Sequence, residues 1–145
     1  MNCDICKIIN DDNELVVVRT TKWVATLNPD QQNLGKCWVT LIDHKSKLSE
    51  LDNTDWNEFI EIIKILEQNT SKACNPSRYN WQCLMNDLVS DDNQPHIHWH
   101  FAPRYKNPVN FNNETFIDEN YPKTNKKPRK TNESTLLLIA NELKK

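Results

Sequence analysis

The segment His96-Ile97-His98-Trp99-His100-Phe101 alternates imidazoles with large apolar side chains. Residues i, i+2 and i+4 of a β-strand share one face. The pattern therefore predicts a strand over 95–103 with Ile97, Trp99 and Phe101 in the core and three histidines on the other side. Register is well specified, because a slip by one residue would bury the imidazoles and expose the apolar groups. A polar face of three titratable, nucleophilic or metal-binding groups is costly to build without a use. The chain has only four histidines, so this strand and His44 hold the whole supply.

The remaining composition excludes several classes. With 145 residues the chain suits one core. Gly35 is the only glycine, so a glycine-rich loop that cradles phosphates on its backbone is ruled out. Any phosphate must be held by side chains and ordinary amides. The net charge of −2 gives no general attraction to nucleic acid or membrane. No apolar run approaches the roughly 20 residues of a membrane span. The start, Met1-Asn2-Cys3-Asp4, lacks the basic and apolar regions of a signal peptide. A cytoplasmic location is expected, with the five cysteines reduced.

Hydrophobic patterning predicts an α+β fold: an antiparallel five-stranded sheet with one long helix and a C-terminal helix. Strands are expected at 14–19, 22–27, 37–42, 78–85 and 95–103. The long helix should start near Thr54, with Thr54 as cap, and stop at Asn75-Pro76. The terminal helix should run over 134–144. The stretch 106–130, rich in Asn, Pro and Lys, reads as irregular. Residues 1–105 are expected to form the main domain. Residues 106–145 then form an extension packed on it.

The middle histidine of the alternating strand has an imidazole on each side, so His98 is the natural nucleophile. Attack by a neutral imidazole on a phosphoryl centre splits one displacement into two. His100 can then hydrogen-bond phosphate oxygens or the leaving group. A separate pair, Cys3-x-x-Cys6, has the spacing of two zinc thiolates that two histidines could complete. A redox pair or two idle thiols are the alternatives, although a redox Cys-x-x-Cys usually follows a strand rather than opening a chain. Three histidines of one straight strand are roughly 7 and 14 Å apart along it. A single metal held by the whole triad would therefore need a bulge.

Pro95-His-Ile-His-Trp-His-Phe-Ala-Pro-Arg-Tyr105 resembles the signature of the histidine triad family, His-φ-His-φ-His-φ-φ with φ apolar. The element order over roughly residues 1–105 agrees with it. The resemblance implies a nucleotide hydrolase or nucleotidyl transferase that cuts at the α-phosphate of a nucleotide conjugate, such as a dinucleoside polyphosphate or a nucleoside phosphoramidate. His98 would become nucleotidylated, with His100 and His96 completing the catalytic set. It implies a structural zinc on Cys3, Cys6, His44 and His96, and no organic cofactor. It places Asn28 on the ribose, Asn86 before the triad, and an apolar base wall among Ile8, Ile9, Val24 and Leu27. Members are often homodimers.

The chain departs from the family pattern before the triad. The Gly-rich loop is replaced by Leu88-Val-Ser-Asp-Asp-Asn-Gln-Pro95, where Ser90, Asn93 and Gln94 could supply the missing donors. Lys36 stands where members commonly have a histidine. A non-catalytic nucleotide- or metal-binding module is the alternative reading.

Overall fold

The computed structural model describes residues 3–9, 13–86, 94–124 and 127–145. The loop positions Leu88, Ser90, Asp91, Asp92 and Asn93, and Lys126 in the Lys126-Lys-Pro-Arg-Lys130 run of basic residues, lie outside the described residues. Five antiparallel strands form the main sheet: β1 Val16–Arg19, β2 Trp23–Leu27, β3 Cys37–Leu41, β4 Arg78–Gln82 and β5 His98–Arg104. Their order is β1-β2-β3-β5-β4. The fold is α+β. Helix α1 is Asp4–Ile8, α2 is Asn53–Cys74 and α3 is Glu133–Leu143.

Alternation along the strands sorts the two faces. Trp23, Ala25 and Leu27 of β2 stand opposite Leu41, Val39 and Cys37 of β3, and all six are fully buried. Helix α2 covers this face. Its Phe59, Ile62, Leu66, Thr70 and Cys74 recur every three or four residues and are buried, the spacing that lays one helix face on a core. The helix starts two residues earlier than a Thr54 cap would give. Asp52 is the N-cap, and a reciprocal capping box with Asp55 satisfies two amide donors. Asp55 does double duty, because its buried carboxylate also pairs with Lys45. Burial alone would raise the Asp55 carboxyl. The Lys45 and Asp52 hydrogen bonds and the Lys45 and Lys22 charges outweigh it and hold the group low.

The stretch expected to be irregular contains a hairpin, β6 Val109–Phe111 and β7 Glu114–Phe116. Asn112 and Asn113 make its turn, both with positive φ, a backbone region that asparagine tolerates better than most residues. The extension is tied down by charge as well as by apolar packing. Arg104 on β5 forms a bidentate, fully buried pair with Asp118, at 2.6 and 3.0 Å. Phe116 of β7 and Leu136, Ile139, Ala140 and Leu143 of α3 join the same core as the sheet.

A buried glutamine braces the loop between β2 and β3. Gln31 donates to the carbonyls of Asn28 (2.6 Å) and Lys36 (2.9 Å) and accepts from the Gly35 amide (2.7 Å). Gly35 has φ +85 and sits against Pro103, Thr70 and Leu143, so a side chain there would be both strained and crowded. Asp30 in this loop accepts from the Arg129 amide at 2.8 Å and bridges Lys130, which ties the extension to the loop.

Candidate functional site

The regular ladder of β5 begins at His98, opposite Thr40 of β3. His96 and Ile97 precede it, with Ile97 bonded through its backbone to Lys45 and Leu41. The chain therefore leaves the ladder between His96 and His98, and the triad splits. His98 and His100 stay on the open face of the sheet, opposite Thr40 and Trp38. The His96 ring serves a different neighbourhood. Of the three apolar partners, Ile97 and Phe101 are fully buried. Trp99 is half-buried and its ring lies 4.9 Å from that of Phe59 on α2.

His96 Nδ1 lies 3.4 Å from both Cys3 Sγ and Cys6 Sγ, and His44 Nδ1 is 3.4 Å from Cys6 Sγ. One ligand atom from each residue falls within 4.8 Å of the others, and this is the one such group among the described residues. The elements explain the convergence. Cys3 caps α1 by accepting from the Cys6 amide, and the i, i+3 spacing puts both thiols on one side of the helix turn. A helix this short is not stable alone; Ile5 and Ile9 anchor it over Val24 at the sheet end. His44 follows β3 and His96 precedes β5, so two neighbouring strand ends deliver the imidazoles.

A tetrahedral zinc with Zn–S near 2.3 Å and Zn–N near 2.1 Å separates its S and N ligands by about 3.6 Å. The three 3.4 Å contacts match that edge. The tautomer fits too. His96 Nε2 lies 2.6 Å from the Leu41 carbonyl, which can only accept, so Nε2 carries the proton and Nδ1 offers its lone pair to the thiols. Burial and the adjoining Cys3 push the Cys6 thiol up to about 11.

His98 presents the opposite tautomer. Its Nδ1 donates to the His96 carbonyl at 2.8 Å, which leaves the Nε2 lone pair outward. That Nε2 is buried and has no hydrogen-bond partner among the described residues. His98 lines a cavity of about 190 Å³. Its walls include Ile5, Ile8 and Ile9 from the N-terminal segment, Leu27 and Pro29 from the end of β2, and Trp38. Thr26 and Thr40 add hydroxyls. The His100 ring is 5.3 Å from that of His98, and its Nε2 is likewise buried and unpartnered. Burial, then the His98 and Lys36 charges, push the His100 imidazole down to about 4, so it is neutral at physiological pH.

No protein-family model matches the sequence, and no curated protein matches it. Solved structures do. A hypothetical histidine triad nucleotide-binding protein from Sulfolobus tokodaii superposes with TM-score 0.68 at 19% identity, over 98% of this chain and 89% of that one. A Zn-bound histidine triad family protein from Mycobacterium smegmatis gives 0.63 at 14%, over 97% and 92%. A Plasmodium falciparum diadenosine triphosphate hydrolase gives 0.64 at 14%, over 92% and 76%. The chain has the histidine triad fold.

Within that fold the other expected contact residues are dispersed. Asn28 is buried at the end of β2, between two residues that line the His98 cavity, and its Oδ1 accepts from the Asp30 amide at 2.9 Å. Asn86 and Gln94 are exposed. Ile8, Ile9 and Leu27 are in the cavity wall, whereas Val24 is buried beneath α1. Sequence reasoning did not single out Trp38, Thr40 or Thr26. The available signal was register: each alternates with a core residue, which puts it on the histidine face.

Proposed function

We propose that this chain is a histidine triad enzyme that cleaves nucleotide conjugates at the α-phosphate through a covalent nucleotidyl-His98. The carrying observation is the buried, unpartnered Nε2 of His98 beside an apolar cavity. An unsatisfied buried acceptor is costly, and such a cost is tolerated where a reacting atom is to be met. The cavity suits a flat base against Trp38 and the isoleucines. The Thr26 and Thr40 hydroxyls and Asn28 at its edge are candidates for the ribose.

In the first step the Nε2 lone pair forms a bond to phosphorus. The bond from phosphorus to the leaving group breaks, and its electron pair departs with that group. The Nδ1–H bond to the His96 carbonyl strengthens as the ring gains positive character, which stabilises the adduct. His100, neutral at pH 7, hydrogen-bonds a non-bridging oxygen. In the second step water attacks phosphorus, the P–N pair returns to Nε2, and the water proton passes to solvent. Nucleoside monophosphate leaves.

The cluster of Cys3, Cys6, His44 and His96 would hold a structural zinc, which supplies cross-linking rather than chemistry: all four positions are taken by protein ligands. Its link to the reaction is mechanical, since the His96 carbonyl sets the His98 tautomer. Residues 106–145 would then fold as an extension packed on 1–105, which the buried Arg104–Asp118 pair and the shared core support. Among the described residues no helix is long and apolar enough to cross a membrane.

The test is intact-mass analysis of wild-type protein quenched during turnover of a panel of dinucleoside polyphosphates and nucleoside phosphoramidates. A nucleotidyl adduct on wild type, absent from His98→Ala, is the expected result. Turnover by His98→Ala at near wild-type rate would overturn the reading.

A further inference from the structure

A second cavity, of about 180 Å³, lies on the far side of His100 and shares no lining residue with the first. Its walls include Asn33, Lys36, Asn80, Gln82, His100 and Arg104. No carboxylate lines it among the described residues. Asn33 is 5% exposed, and its Nδ2 donor finds no hydrogen-bond partner among those residues. Buried amide donors are rarely left unmet without a reason. His100 Nε2, in the same wall, is also unmet. Two unsatisfied buried nitrogens and the Lys36 side chain thus border one hole beside the reacting histidines, with Arg104 in the wall already paired to Asp118.

The surroundings hold these groups in place. Asn33 and Lys36 belong to the loop braced by Gln31. The Lys36 amide donates to the Asn33 carbonyl at 3.0 Å, so the two residues bracket one tight turn. Arg104 is locked by Asp118 and is further held by the Lys123 carbonyl. Gln82 stands directly opposite His100 on β4. Asp118 is neutralised by Arg104, and Asp30 is engaged by the Arg129 amide.

We propose that this cavity binds the phosphate of an anionic leaving group, so that the preferred substrates are nucleoside polyphosphate conjugates rather than amine-linked phosphoramidates. The inference rests on the function proposed above and extends it to the departing half of the substrate. Asn33 and Lys36 donate to the phosphate, and neither touches the phosphorus that His98 attacks. Burial lowers the Lys36 ammonium, with Asp30 opposing; an anion in the cavity would favour its charged form. The leaving-group chemistry agrees. A phosphate leaves as the anion and needs no proton, whereas an amine must gain one. The neutral His100 is a poor donor for that purpose.

The experiment compares kcat/KM for a dinucleoside polyphosphate and an alkyl phosphoramidate of the same nucleoside, in wild type, Lys36→Met and the near-isosteric Asn33→Asp. Inorganic tripolyphosphate is titrated into the same three proteins by calorimetry. Losing one charge-assisted hydrogen bond should lower the polyphosphate-to-phosphoramidate ratio about tenfold or more, and weaken tripolyphosphate equally. A ratio and a tripolyphosphate affinity both within about twofold of wild type would overturn the subsite while leaving the enzyme reading intact. A wild type that cleaves neither substrate, yet binds tripolyphosphate through Lys36 and Asn33, would retain the subsite and sink the enzyme reading instead. Circular dichroism of Asn33→Asp checks that its loop still folds.

Discussion

His96 and His98 are two residues apart and both are buried, yet their rings are treated in opposite ways. The His96 imidazole is satisfied on both sides, with the Leu41 carbonyl on Nε2 and two thiols on Nδ1. The His98 imidazole is satisfied only at Nδ1 and keeps Nε2 unmet. One histidine closes a cluster and the other opens onto a cavity. The difference comes from where the strand ladder starts, because only His98 is paired to β3. One hydrogen bond links the two, since the carbonyl of the closed histidine accepts from Nδ1 of the open one. The two rings thus keep separate surroundings while sharing one backbone hydrogen bond.

The sharpest way to break this contrast is to remove the open ring. His98→Ala should abolish turnover, a loss well beyond the roughly 10²–10⁴-fold typical of a general acid–base group. Thermal melting should move little, because the lost ring leaves a cavity that already opens on a larger one. A variant that loses activity only by unfolding would show that His98 belongs with His96 as a structural group. Next in size is His100→Ala, expected to cost about 10²–10⁴-fold in kcat and to retain a trapped adduct. An adduct lost as completely as in His98→Ala would move the nucleophile role into doubt.

The closed end predicts the reverse profile. Cys6→Ala should cost about 3 kcal/mol of stability, roughly 10 °C in Tm for a chain of this size, while activity per folded molecule falls less than about tenfold. Protein purified without chelator should carry about one zinc per chain by elemental analysis. Metal-free protein whose melting is indifferent to chelation would show that the four ligand residues are merely packed together.

Much of this arrangement could be read in the residues because it rests on short-range periodicity. The alternation at 96–101 marks the strand and its two faces. The period of Phe59, Ile62 and Leu66 marks α2. What escaped the sequence was set by long-range register or by backbone geometry. Trp38 and Thr40 gain meaning only once β3 is laid against β5. The hairpin Val109–Phe116 is short and polar, and its turn depends on two asparagines accepting positive φ. Asp52 rather than Thr54 caps α2 because Asp55 can complete the box three residues later. The split of the triad was hidden as well, since nothing in the alternation says that the ladder ends at His98. Asn33 was one asparagine among many until its amide was found buried without a partner.

The smallest expected effect separates burial from chemistry at the open end. His100 is held down to about 4 by burial first, then by the facing His98 and the Lys36 ammonium across from it on the loop. In the unfolded chain the same imidazole takes up its proton near pH 6.5. Between those two values the unfolded state binds more protons than the folded one, so the His100 contribution to stability falls as pH falls through that window. Above it both states are neutral and the contribution is flat. His100→Gln, which keeps a polar group and cannot titrate, should therefore lose less stability than wild type on acidification from pH 7 to about pH 4. Urea unfolding of both proteins across that range reads the difference directly. Parallel curves would mean that His100 accepts its proton in the folded state as easily as in water, and the contrast with the closed cluster would then rest on His98 alone.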